Sequence, residues 1–283
     1  MRGASHGLGG QWVTLLTLMV MIGCRAAPLG EEPVDASSPP TFLGDDACGV
    51  CLEALEGEVA LIDARFGYHR RCFDATPRCV ACTLPAGGRR GPPRADRRSG
   101  VSCAPCATRA VSDHTTARAL LKEAAADLEA RFGCRVEVEG LALRFATPAQ
   151  LASLSGRATS DAKGFMEATR RVEPGGAQPW SVTIHLARGL PEGQLYGIVA
   201  HELFHVWQLE ASPDELDAAW REGSACYVQW ALLWARGEGF WARLVESHTD
   251  PVYGGGLRRF RAFAEGRTAA ELRRAWRREA DFP

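Results

Sequence analysis

Four pairs of metal-binding side chains, each pair separated by two residues, constrain what this chain can fold into more than any other feature. Cys48-Gly49-Val50-Cys51 is followed by His69-Arg70-Arg71-Cys72, Cys79-Val80-Ala81-Cys82 and Cys103-Ala104-Pro105-Cys106. A two-residue gap lets both side chains of a pair reach one metal ion, and four pairs make two tetrahedral sets. In chain order these are Cys48, Cys51, His69 and Cys72, then Cys79, Cys82, Cys103 and Cys106. Disulfides have no need of such regularity, although they are the alternative in an oxidising compartment. Little hydrophobic pattern lies between the pairs, so residues 45–110 are expected to fold around two structural zinc ions. The loop carrying Arg89, Arg90, Arg94, Arg97 and Arg98 reads either as a solvated run or as a docking site for an acidic partner. Cys134 and Cys226 fall outside the pairs and read as buried packing.

The other segments divide by composition. Trp12 to Gly23 is an apolar run preceded by Arg2 and ended by Cys24, too short for a comfortable membrane span. Met21-Ile22-Gly23-Cys24 resembles a bacterial lipoprotein signal, which implies cleavage before Cys24, lipidation of that cysteine, and a lipid-anchored protein of the cell envelope. An ordinary secretion signal or an uncleaved anchor are the alternatives. Residues 25–44, with Pro28, Pro33, Pro39 and Pro40, read as a flexible linker. From 113 to 283 the chain has the character of a globular domain, and with 46% hydrophobic residues overall it suffices for one core plus a satellite module. A helix is expected over Thr115 to Phe132, stopped by Gly133; strands over Cys134 to Leu143 and Pro179 to Ala187; and mostly helix from Pro191 onward. The expected class is α+β, a mainly helical domain with a small sheet ahead of the helices. A formal net charge of −1 gives no reason to expect nucleic acid as a partner.

The chemistry is concentrated in His201-Glu202-Leu203-Phe204-His205. Residues four apart share a helix face, so both imidazoles reach one metal ion, while Glu202 is placed to act on water rather than on the metal. By chance this pattern would arise in roughly one such sequence per hundred. A surface helix with two solvated histidines is the bland alternative, and Leu203, Phe204, Val206 and Trp207 argue against it by implying burial. A catalytic zinc needs a third protein ligand. Glu222, brought back by a second helix over Asp214 to Trp234, is the best placed, ahead of Glu210, Asp214 and Glu215 near the turn. With these parts the expected reaction is hydrolysis of an amide, Glu202 serving as general base and then acid. The oxyanion donor is open among Tyr253, His248, Tyr227 and His185. The strand Trp180 to Leu186 reads equally as a template for an extended peptide and as a plain core strand. A catalytically idle interaction scaffold in the cell envelope is the rival from another class.

The order of the paired ligands, with Tyr68-His69 and Cys72-Phe73, resembles a LIM domain, except that six residues rather than two separate the fourth and fifth ligands. Such a module is expected to bind a protein partner. A LIM-like module ahead of a His-Glu-x-x-His peptidase resembles the plant LIM-containing, ubiquitin-activated metallopeptidases of the DA-one type. Residues 200–207, Glu222-Gly223, Asp250-Pro251-Val252-Tyr253-Gly254-Gly255-Gly256 and the closing Asp281-Phe282-Pro283 carry that resemblance. It implies a zincin-like fold, a peptide or protein substrate, one catalytic zinc on His201, His205 and Glu222, and Tyr253 as the preferred oxyanion donor. The ubiquitin-interacting helices of the plant proteins have no counterpart here, so their activation and substrates do not carry over.

Overall fold

The computed structural model describes residues 14–19, 47–62, 66–96, 100–155, 162–173, 176–177, 179–211 and 217–277. Cys24, the linker over 25–44 and Asp281-Phe282-Pro283 lie outside the described residues. From the apolar run near the start, β1 (Thr14–Met19) is described as a strand, and among the described residues no helix is long and apolar enough to cross a membrane.

In the cysteine-rich region, β2 (Val59–Ile62) and β3 (Phe66–His69) form an antiparallel hairpin that leads directly into α1 (Arg70–Ala75). A second hairpin, β4 (Arg94–Asp96) with β5 (Gly100–Ser102), leads into α2 (Ala104–Thr108). Both halves use one device. The third ligand, His69 or Cys103, ends or follows a strand, and the fourth, Cys72 or Cys106, lies in the first turn of a short helix. The six-residue spacer is absorbed by the rest of α1 and by residues 76–78, where the Arg78 guanidinium sits 3.5 Å from the Phe73 ring centroid. Next, β6 (Ala110–Val111) crosses to the main domain, where it pairs with a later strand.

The helix α3 (His114–Phe132) begins one residue before expectation because Asp113 accepts a hydrogen bond from Thr116 N at 2.7 Å, and it stops at Gly133 in the left-handed conformation. The expected strand over Cys134 to Leu143 forms later, as β7 (Ala142–Ala146). Its neighbour supplies the reason: pairing starts only where Ala142 meets Thr183, and the preceding stretch turns at Gly140 with Leu141 N bonded to Val138 O. Following α4 (Pro148–Leu154) come β8 (Gly164–Glu173), β9 (Gly176–Ala177), β10 (Ser181–Ala187) and β11 (Leu190–Pro191), the last being the partner of β6.

Sheet order is β1-β8-β10-β7, with β9 also on β8. All pairs are antiparallel except β10 with β7. This corrects the idea of Trp180 to Leu186 as a peptide template. Both edges of β10 are taken, by β8 on one side and β7 on the other, so it is a core strand. The strand next to the outer edge is β8, and β1 covers it with Thr14 opposite Val172 and Met19 opposite Glu167.

Helices α5 (Glu192–Ala211), α6 (Ala218–Ala235), α7 (Gly239–Glu246), α8 (Gly256–Ala264) and α9 (Ala269–Trp276) complete the domain. The class is mixed α and β, as expected. Every α5 residue from Gly193 to Gln208 is buried, so this helix has no solvent face over four turns. Trp276 of α9 is fully buried and gathers Phe204 at 4.8 Å, Phe260 at 5.7 Å, Phe132 at 5.8 Å and Trp207 at 5.9 Å between ring centroids. One ring thus ties α3, α5, α8 and α9 together. Trp276→Ala is expected to destabilise the domain by about 3–5 kcal/mol, seen as a lower midpoint in chemical denaturation with the slope of the transition unchanged.

Candidate functional site

Three donor atoms converge between α5 and α6. Nε2 of His201 and Nε2 of His205 are 3.0 Å apart, and Glu222 Oε2 is 3.4 Å from the first and 3.3 Å from the second. All three residues are buried. Asp217 caps α6 through Trp220 N, so the helix starts at Ala218, four residues later than the Asp214 expected, yet Glu222 still returns to the histidines. Of the competing carboxylates, Glu210 is exposed near the end of α5, and Asp214 and Glu215 lie outside the described residues.

Protonation explains why this trio suits a cation. Gln208 donates its amide N–H groups to Ser224 Oγ at 3.0 Å and Arg221 O at 3.3 Å, so its Oε1 is the atom left facing His205 Nδ1 at 2.7 Å. That contact keeps the proton on Nδ1 and leaves a lone pair on His205 Nε2. Burial pushes the His201 pKa down and favours its neutral form, although Glu222 acts the other way. Burial alone would raise the Glu222 carboxyl, but positive charge on the facing His205 and His201 would pull it down to about 2, the compensation that a cation supplies when the imidazoles are neutral. A carboxylate and two imidazole nitrogens facing each other in a dry interior are compensated when a metal ion sits among them, and the donor set of two nitrogens and one oxygen suits zinc.

Glu202 is fully buried on the same helix, and neither of its carboxyl oxygens has a hydrogen-bond partner among the described residues. Burial, reinforced by the charge of Glu222, holds its pKa well above the usual carboxylate range. Gly164, at the start of β8, passes directly over it. A Cβ at that position would lie 2.3 Å from Glu202 Oε1 and 2.6 Å from Ile198 Cγ2.

The cysteine-rich ligands gather as the spacing implied. Within each set, donor atoms lie within 4.8 Å of one another, as do those of His201, His205 and Glu222. All nine described cysteines are free of disulfides. His69 turns Nδ1 toward Cys51 Sγ at 3.3 Å and Nε2 toward Ala54 O at 2.9 Å, so Nδ1 is the nitrogen offered to a metal. Burial alone would raise the Cys48 thiol, but backbone N–H groups of Cys51, Val50 and His69 bring it down to about 6. Tyr68 is buried between the sets, close enough for the charges of Arg90, Cys82 and Cys48 to act on it, and burial pushes its phenol up to about 12. The basic loop needs correction at one position. Arg90 turns inward and donates to Cys103 Sγ at 3.1 Å and Cys82 Sγ at 3.5 Å, offsetting negative charge in the fully buried set. Arg94 is exposed, and Arg97 and Arg98 lie outside the described residues.

The oxyanion candidates separate. Tyr253 and His248, with ring centroids 5.8 Å apart, line a cavity beside α5, and so does Cys226. Tyr227 stacks among Phe132, Trp230 and Phe260, and His185 pairs with Glu167 on β8 at 3.3 Å. Cys134 is buried as expected, its thiol raised to about 12 by burial. Tyr253 is held in a tight turn over Pro251–Gly255, where Asp250 Oδ1 accepts from Val252 N and Tyr253 N. That turn meets α6 backbone to backbone: a Cβ on Gly223 would lie 2.4 Å from Gly256 C.

No family model, curated protein or solved structure matches this chain. What it can bind therefore rests on its own geometry: among the described residues, three side-chain clusters able to hold metal ions such as zinc, one of them beside a buried carboxyl that has no hydrogen-bond partner there.

Sequence reasoning missed Gln208, Gly164 and the inward turn of Arg90. Gln208 follows His205 by three residues, within reach on a helix, and that spacing was the available signal. Two substitutions check the account. Gln208→Leu removes the group that orients His205 and should weaken zinc binding at the His201 site by about 10–100-fold, measured by competition with a chromogenic chelator. Gly223→Ala forces α6 away from the turn at Gly256 and should cost about 1–3 kcal/mol, read from thermal unfolding together with loss of one bound metal per chain.

Proposed function

We propose that this protein is a zinc-dependent endopeptidase with a zincin-like catalytic domain (residues 113–283) and a LIM-like module (residues 45–110) for protein interaction. The observation that carries the reading is Glu202: a fully buried carboxyl, without a hydrogen-bond partner among the described residues, one residue along from His201. A purely structural metal site has no use for it, and leaving it unpaired costs stability. The resemblance to the DA-one type of peptidase supports the same assignment.

In this reading His201 Nε2, His205 Nε2 and Glu222 Oε2 hold the catalytic zinc, and the two cysteine sets hold structural zinc. When bound, zinc supplies Lewis acidity, which polarises a scissile carbonyl and makes water more acidic. Glu202 accepts a proton from the attacking water at its carboxylate and gives it to the departing amine, so that the carboxyl returns to its starting state. Gln208 keeps His205 in the tautomer that offers a lone pair to the metal. Tyr253, supported by its turn, is the preferred donor to the oxyanion, with His248 beside it. The N-terminus completes the proposal as an export signal ending at Cys24, a lipidated anchor in the cell envelope. Removal of residues before Cys24 takes β1 from β8 and frees the edge of that strand over residues 167–172, which follows Gly164 and its close approach to Glu202. An extended peptide can pair on such an edge.

The test is proteolysis of a mixed protein substrate by purified protein, beside Glu202→Gln, with metal content quantified. Three zinc ions per chain in both proteins, with hydrolysis reduced by about 100-fold or more in the variant, is the expected outcome. Equal behaviour of the two proteins would favour an interaction scaffold without catalysis.

A further inference from the structure

The turn that carries the first two ligands of the second cysteine set does more than hold metal. Thr83 N bonds to Cys79 O at 2.9 Å, and Thr83 Oγ1 donates to Cys82 O at 2.6 Å, which closes residues 79–83 into a compact knuckle. The Ala81 carbonyl of that knuckle accepts from Gln194 Nε2 at 2.9 Å. Gln194 lies on α5, seven residues before His201 and so on nearly the same face. The knuckle is thus fastened to the helix that bears the candidate catalytic residues.

Between them lies a cavity of about 80 Å³, walled by Ala81 and Thr83 on the module side and by Ile198, Leu233, Trp241 and Leu244 on the domain side. Ile198 and Glu202 are the two side chains under Gly164, and Lys163, the neighbour of Gly164, is on the cavity wall. The cavity therefore lies beside the Glu202 site, with Ile198 shared between them. Its size is about half of the ~150 Å³ that accommodates benzene in a dry protein cavity, which suits an aliphatic side chain of three or four carbons.

A second observation points to a peptide rather than to a free hydrocarbon. Gln194 is only 8% exposed, and with its amide N–H group committed to Ala81 its Oε1 is buried without a hydrogen-bond partner among the described residues. An acceptor left unpaired beside an apolar cavity fits a ligand that brings an apolar body and an N–H donor together. A peptide residue such as leucine or valine does both.

We propose that the second cysteine set forms a specificity-determining wall of the substrate site. A leucine- or valine-sized side chain next to the scissile bond seats between the 79–83 knuckle and helices α5 and α7, and a backbone N–H of the same peptide donates to Gln194 Oε1. The cysteine-rich module then selects substrate residues directly, in addition to any partner it binds. This rests on the peptidase reading.

The experiment compares the wild-type protein with Thr83→Phe, which fills the cavity from the module side, and Leu244→Ala, which enlarges it from α7. Zinc content and unfolding temperature verify that each is folded. Quenched peptides differing at single positions around the cleaved bond give the profile. Wild-type protein should prefer leucine over alanine at one position by about tenfold or more, Thr83→Phe should erase that preference, and Leu244→Ala should shift it toward phenylalanine. Unchanged profiles in both folded variants overturn the proposal while leaving the peptidase reading intact.

A binding measurement separates the two ideas. Acetyl-Ala-Ala-Leu-Ala-amide and its all-alanine counterpart are titrated calorimetrically into Glu202→Gln, with and without Thr83→Phe. Tighter binding of the leucine peptide, lost with Thr83→Phe, supports the pocket even if no variant hydrolyses any substrate, in which case it is the peptidase reading that fails. Equal binding of the two peptides overturns the pocket.

Discussion

Three electron-rich atoms, His201 Nε2, His205 Nε2 and Glu222 Oε2, face each other in an interior that excludes water. Their mutual approach is favourable only when a positive ion stands among them, and much of the helical layer serves to enforce that approach. Helix α5 has no solvent face from Gly193 to Gln208, so its histidines cannot relax outward. The ring of Trp276 fixes the back of that helix against α3, α8 and α9. Asp217 starts α6 at a register that brings Glu222 back to the imidazoles. Gln208 then removes the remaining freedom, since a proton in the wrong place on His205 would cancel one of the three lone pairs.

The cysteine-rich half follows a different economy. Little of its stability comes from a hydrophobic core of its own; its organisation comes from two clusters of sulfur and nitrogen, each built on a hairpin followed by a short helix. Four thiolates around one divalent ion would leave a net negative charge, and the half-buried Arg90 guanidinium is placed to answer it, donating to Cys103 and Cys82. The same loop that looked like a basic surface in the sequence is thus partly an internal counter-ion.

What was legible in the sequence was whatever depends on local spacing. The two-residue gaps of the cysteine pairs, the four-residue gap between His201 and His205, and the Gly133 stop of α3 are short-range regularities, and each falls as read. Glu222 was reachable because one helix hairpin connects it to the histidines. Harder were features decided by partners distant in sequence. β8 carries only weak alternation and is a strand because β10 pairs with it, while the stretch over 134–141 has suitable residues but no strand partner among the described residues and stays irregular. Gly164 matters through a clearance to Glu202, 38 residues away in the chain, which no periodicity announces.

The backbone contact between Gly223 and Gly256 has a mechanical meaning. Side chains can rotate to absorb a small displacement, but two main chains in contact transmit it in full. Glu222 sits immediately before one of these glycines, and the turn bearing Tyr253 ends at the other. Glu222 and Tyr253 are therefore joined through main chain, and a displacement of α8 reaches the carboxylate that faces the two imidazoles without a side chain to absorb it.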